Sequence, residues 1–330
     1  MRVAVRFPFR RLLEYAALLG IWIGLLLLFG CLSKNFLTFQ NLGSLANRIP
    51  TLAVVSAGMT LILIIGGIDL SVGSLLGFCG ALVGLAMVNW HWPLWAAALL
   101  CLGAGLLGGA FNGAISVLFG IPSFIVTLGM LEAARGLAYY VTDSQTKYIG
   151  VAVDPLSKPF SSFGLSPAFL LALAVIIAGQ VLLSFSVFGR RLLAIGSNEQ
   201  AARYSGINPQ PARILVFAIL GLLTGLGALF YTSRLGSSDP NAGIGLELSA
   251  IAAVVIGGTS LSGGRGSVIN SFFGVLIIAT LEAGLAQRSV PEPAKRIITG
   301  AVIILAVVID AWRNHLTGGA FAALKRFLSR

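Results

Sequence analysis

From Leu12 to Leu32 the chain is apolar except for one acid, Glu14, and it carries no base there. A bilayer hydrocarbon core about 30 Å thick takes roughly 20 residues of helix. In lipid the backbone must satisfy its own hydrogen bonds, which leaves helices as the economical solution for such runs. Comparable runs fill most of the remaining sequence. About ten candidate spans follow, each measured against that 20-residue requirement. They are Leu12–Leu32, Pro50–Ile65, Leu70–Val88, Pro93–Leu118, Ser123–Val141, Pro167–Val187, Ala212–Ser233, Leu246–Ile256, Ser267–Ala286 and Ile297–Trp312. The second and eighth are short and end in Gly-Gly, which marks them as tilted, re-entrant or broken. The expected fold is all-α: one integral membrane domain over residues 1–330.

Composition agrees. Hydrophobic residues make up 57% of the 330 and charged residues 10%, where soluble domains carry about a quarter charged. There is too little polar surface to cover so much apolar material in water. Between the spans only Thr142–Ser166 and Gly189–Pro211 exceed a turn, so a catalytic domain has no room. The net charge of +11 would raise nucleic-acid binding in a soluble chain. Here no basic face interleaved with aromatics exists, and the bases lie between or beyond the spans, where they set topology. Cys31, Cys79 and Cys101 are scattered in apolar runs and read as small hydrophobes. His91 and His315 stand apart, each beside a tryptophan. No metal, triad or P-loop signature occurs, so this chain does not bind ATP through a P-loop.

Arg2, Arg6, Arg10 and Arg11 precede the first run, as in a secretory signal, but that run is too long for a signal core, and more spans follow. It reads as a retained helix. With ten crossings and a cytoplasmic start, most of the bases, including Arg190, Arg191, Arg203 and Arg213, fall inside. Both termini are then cytoplasmic, with loop 189–211 inside and loop 142–166 outside.

Three segments carry more than topology. Ile65–Gly73 and Ile256–Gly264 share six of nine residues, including the pairs Gly66-Gly67 and Gly257-Gly258 and the later Gly73 and Gly264, with Gly263 beside it. Glycine pairs at membrane depth break helices, and twin interruptions suit a transporter repeat; chance likeness between glycine turns is the alternative. Asp69, the only acid between Glu14 and Glu132, stands with Ser71 where an N-cap would stand. A cap is preferred to a functional charge. Glu132 and Arg135 lie at i,i+3 and can neutralise each other. In the segment Ser197-Asn198-Glu199-Gln200-Ala201-Ala202-Arg203, Ser197 and Gln200 form a capping box, and Gly206 ends the helix. Ala201 and Ala202 give that helix a small-residue face. It is either a membrane-surface helix or a docking helix for a cytoplasmic partner. Asn47, Thr60, Asn112 and Thr127 are candidates for a weakly polar pathway, although for any one of them a bond to a neighbouring helix is the preferred reading.

Taken together, GGIDLSVGS (Gly66–Ser74), IPSFIVTLG (Ile121–Gly129) with Arg135-Gly136, Gly189–Ile207 and IGGTSLSGGRGSV (Ile256–Val268) resemble the membrane permeases of monosaccharide ABC importers. These are the ribose, xylose, arabinose and galactose type. The resemblance runs from about Phe36 to Trp312. It implies the ABC importer permease fold and a bacterial inner-membrane location. It implies a dimer with a second copy or a sister permease, paired with cytoplasmic ATPases that hold the ATP and Mg, and served by an extracytoplasmic sugar-binding protein. It also implies that Ser197–Gly206 is the coupling helix on which an ATPase docks. The competing class is an ion- or proton-coupled secondary carrier working without an ATPase.

Overall fold

The structure, a computed structural model, describes residues 9–160, 164–305, 307 and 308. Among them, eight helices are long and apolar enough to cross a membrane. The first is α1 (Phe9–Leu32), followed by a short α2 (Phe39–Ala46) that bends at Asn47-Arg48 into α3 (Ile49–Ile64). Next come α4 (Val72–Gly84), which runs on through a π-helical turn to Asn89, then α5 (Leu94–Leu118) and α6 (Ser123–Thr142). A strap of one 3-10 turn and the single-turn α7 (Asp154–Ser157) leads to α8 (Pro167–Phe185). A hairpin of α9 (Val187–Ser197) and α10 (Glu199–Tyr204) precedes α11 (Pro209–Leu235), α12 (Leu246–Ile256) and α13 (Val268–Gln287). Residues 292–305 are helical again. The expected bounds shift most at the second and last spans, while the eighth keeps its bounds. The second span starts earlier, at Phe39, because the elbow at Asn47-Arg48 bends the chain without ending the crossing. The eighth is the 11-residue α12, too short to span alone. The last begins before Ile297, and Trp312 lies outside the described residues.

Burial sorts the helices. Every residue of α3 is buried, so it is the axis around which α8, α11, α12 and α13 pack. By contrast Tyr15–Leu32 of α1 is scarcely buried and touches the bundle along one stripe, where Trp22 Nε1 donates to Thr280 Oγ1 at 3.0 Å. A helix that apolar and that exposed is at home only in lipid. The closest helix pair is α5 with α11. A Cβ at Gly105, Gly109 or Gly221 would overlap backbone of the partner helix. Small residues four apart let two backbones come together where no hydrophobic effect drives association.

At one end of the bundle, Lys147-Tyr148 and Ser237-Ser238 form a two-residue antiparallel ladder. On the same side Asn47 bridges the α2–α3 elbow to the segment before α8, donating to Gly164 O and accepting from Ser166 N. The hairpin of α9 and α10 lies at the opposite end. So do both glycine-rich repeats.

Candidate functional site

Three chain segments meet at the hairpin end. Gly264 N donates to Ile64 O at 2.8 Å, tying the second glycine loop to the last turn of α3. Gly196 lies against both: a Cβ there would overlap the Ile64 carbonyl oxygen and lie 2.6 Å from Gly264 N. Gly263, at φ +87°, sits over Gly66 N and Gly196 O. The two repeats therefore touch each other, and the α9 terminus is wedged against their junction.

Locally the repeats solve one problem with a one-residue offset. After α3, Gly66 adopts φ +72° and Gly67 N donates back to Ile62 O. After α12 the left-handed residue is Gly258, at φ +84°, and Thr259 N donates to Val254 O. Both are Schellman closures, yet Gly66 aligns in sequence with Gly257.

The first repeat leaves a non-helical stretch, Gly67–Ser71, in which the amides of Ile68 and Leu70 need a side-chain partner. The IPSFIVTLG segment supplies it. Ser123 Oγ accepts from Ile68 N and Thr127 Oγ1 from Leu70 N, each at 3.1 Å. Ser123 and Thr127 are one helical turn apart on α6, so both reach the stretch from one face of that helix. Asp69 is buried, and its Oδ1 accepts from Ser71 N and Ser71 Oγ at 2.8 and 2.6 Å. Asn112 Nδ2 donates in turn to Ser71 Oγ. The expectation for Asp69 needs correction here: the N-cap of α4 is Ser71, and Asp69 closes the turn ahead of it. Burial pushes the Asp69 carboxyl above its ordinary range, and the bonds from Ser71 pull it back. Because Oδ1 takes both bonds, Asp69→Asn should keep transport within about threefold. Asp69→Leu, which orphans a buried amide at a cost of several kcal/mol, should lose most of it. Uptake measured at equal membrane abundance checks this; equal loss in both variants would make the charge itself essential.

The four pathway candidates do not converge. Thr60 bonds Ser271 across α3 and α13, Asn47 is at the far end, and Asn112 and Thr127 hold the broken stretch. The expected pairing of Glu132 with Arg135 does not form. Arg135 reaches instead to the carbonyls of Pro240 and Ala242 on another segment.

The hairpin itself is rigidly held. The cap assignment moves by one residue: Ser197 ends α9, donating to Leu193 O, and Asn198 caps α10 by accepting from Ala201 N at 3.0 Å. Asn is as good a cap as Ser, and φ −163° places Asn198 in the extended geometry a cap needs. Gly206 ends α10 at φ +80° as expected, with Ile207 N donating to Ala202 O. Glu199 accepts from Arg203 at 2.8 Å and from Arg213 at 2.6 Å, binding α10 to the start of α11. Ala202 faces inward and is buried, so the small-residue face is not one surface. Ala201, Gln200 and Ser205 are exposed, and Tyr204 is 92% exposed. Beside Arg203 and Arg213, a cavity of about 450 Å³ reaches to Gly66 and Ser123. Among the described residues no group of His, Cys, Asp or Glu is arranged to hold a metal.

Comparison with known proteins fits this layout. Residues 41–307 match the family described as branched-chain amino acid transport system / permease component. The ribose import permease protein RbsC of Escherichia coli (strain K12) is 36% identical over 307 residues, covering 91% of this chain and 94% of that protein. RbsC of Bacillus subtilis (strain 168) is 38% identical over 299 residues, covering 88% and 91%. The xylose transport system permease protein XylH of Escherichia coli (strain K12) is 34% identical, covering 84% and 86%. No solved structure gives a significant match. With the family match spanning most of the chain and relatives above 30% identity along nearly its full length, the chain belongs to this family of multi-pass transport permeases.

Proposed function

We propose that the chain is the membrane-spanning subunit of an ABC importer for a monosaccharide or related polyol, located in the bacterial inner membrane. The observation that carries it is the capped, ion-paired α10, which presents Tyr204 to solvent while its root is wedged into both glycine repeats. ATP and Mg belong to cytoplasmic ATPase partners docked on that hairpin. A sugar-binding protein delivers its ligand at the opposite end, and a second copy or sister permease completes the pathway. The single domain alternates between two packings, and nucleotide-driven closure shifts the balance only by its differential affinity for them. Displacing α10 moves the junction of the repeats. The ion- or proton-coupled carrier gains no support, since the relatives compared are all import or transport-system permeases.

In this reading the hairpin end is cytoplasmic, and Arg190, Arg191, Arg203 and Arg213 cluster there as the positive-inside rule requires. Both termini are cytoplasmic as well. Single cysteines at Gln145 and Ser205, both exposed, in a background without Cys31, Cys79 and Cys101, test the orientation. An impermeant thiol reagent on intact cells should label position 145 and reach position 205 only after permeabilisation. The reverse pattern overturns the topology. Purification with genomic neighbours tests the class: a co-purifying P-loop ATPase is the expected result, and sugar uptake with no ATPase would establish the carrier.

A further inference from the structure

One surface of the bundle carries polar groups that the hairpin does not use. Glu132 lies at the midpoint of the 20-residue α6 and is exposed. One turn on, Arg135 is half-buried and reaches the carbonyls of Pro240 and Ala242. One turn further, Tyr139 donates from its hydroxyl to Asn241 Oδ1 at 2.7 Å. Asn241 is exposed and is held by Asp239, whose Oδ1 accepts from Asn241 N. Glu247, in the first turn of α12, lies against Gly73 of α4, where a Cβ would overlap its carboxylate.

Two physical arguments exclude lipid from this face. An ionisable side chain at the centre of a membrane helix costs about 2.5–3.5 kcal/mol on insertion scales and more in isolation. Residues 239–245 are non-helical, and they contact Gly73 and Gly77 of α4, a span, so they lie at membrane depth. Irregular backbone is tolerated there only where it is buried in protein or lines water. Asn241 is exposed in the single chain, so lipid is excluded there and the face opens on water or on the second copy that completes the pathway.

We propose that this face, formed by Glu132, Arg135, Tyr139, Asp239, Asn241 and Glu247, is the water-lined surface over which the monosaccharide passes. The sugar identity rests on the importer reading above. The chemistry fits a neutral polyol: carboxylates accept from hydroxyls, amides both accept and donate, and a tyrosine ring supplies the apolar surface a sugar's C–H groups pack against. No group is buried and fully enclosed, so contact is weak and brief, as release requires.

The test uses the complete complex with ATPase and binding protein in proteoliposomes, in the cysteine-replaced background. Glu132→Cys and Asn241→Cys should react with a charged thiol reagent, whereas Leu107→Cys on α5, 69% exposed, should react only with a lipid-soluble one. Sugar-loaded binding protein plus nucleotide should slow labelling at position 132 at least threefold. Glu132→Leu should lower uptake at least tenfold at unchanged abundance, and Glu132→Gln by less. If position 132 behaves like Leu107, or Glu132→Leu transports normally, the face belongs to lipid or to protein packing and the proposal is wrong. Absence of ATPase-dependent uptake by the unaltered complex would count against the importer reading instead, while the labelling pattern would still decide whether water lines this face.

Discussion

Gly196→Ala should abolish transport and destabilise the folded chain by about 3 kcal/mol or more, the upper range of overpacking. The added methyl has nowhere to go. It would overlap the Ile64 carbonyl oxygen and crowd Gly264 N, both of them backbone. A flexible side chain could swing aside, but a helix terminus and a left-handed loop cannot. Relief would need α9 to lift from the junction where Gly264 N donates to Ile64 O. Gly103→Ala on α5 is the matched control, because nothing lies within 4 Å of its Cβ position. There the substitution should be neutral or stabilise by up to about 1 kcal/mol, as alanine favours helix over glycine. Thermal unfolding in detergent, with uptake measured in parallel, checks both. A Gly196→Ala variant as stable and active as Gly103→Ala would remove the wedge from the mechanism.

The membrane helices were legible because length and apolarity decide them with little competition. Where the sequence reading slipped, a local choice depended on tertiary partners. Ser197 and Asn198 are both good caps, and only the docking of α9 against Gly264 extends that helix through Ser197. Asp69 carries the side chain of a cap, yet Ser123 and Thr127 hold the chain around it out of helix, and the helix begins only at Val72. The pairing of Glu132 with Arg135 was reasonable for an isolated helix, where neighbours a turn apart are the only partners. Arg135 found carbonyls more than a hundred residues away, which no helical periodicity encodes. The polar face around Asn241 was missed for the same reason. Its residues are ordinary turn formers in sequence, and only the exposure of Glu132 at mid-helix makes them informative. The repeats were visible as a string of shared glycines. Their contact with each other, and the one-residue offset of the left-handed position, belong to the packing.

The remaining large effect concerns the hairpin. Combining Ala201→Glu with Tyr204→Ala should leave membrane abundance near normal, abolish co-purification of the ATPase, and lower sugar uptake at least tenfold. Ala202 is not a target: it is buried, and a glutamate there would dislodge α10 and confuse unfolding with uncoupling. Ala201 and Tyr204 are exposed, so changing them spares the cap at Asn198, the turn at Gly206 and the clamp of Glu199 on Arg203 and Arg213. A six-residue helix is marginal alone in water, and those three devices hold it in place. What they hold out is Tyr204, a large aromatic at 92% exposure, the kind of side chain that anchors protein interfaces. The spans satisfy their own backbone bonds and should insert regardless. A helix merely resting on the bilayer predicts the opposite, because removing its aromatic while leaving the arginines would alter transport little. Uptake at the wild-type rate with the ATPase still bound would therefore end the coupling assignment.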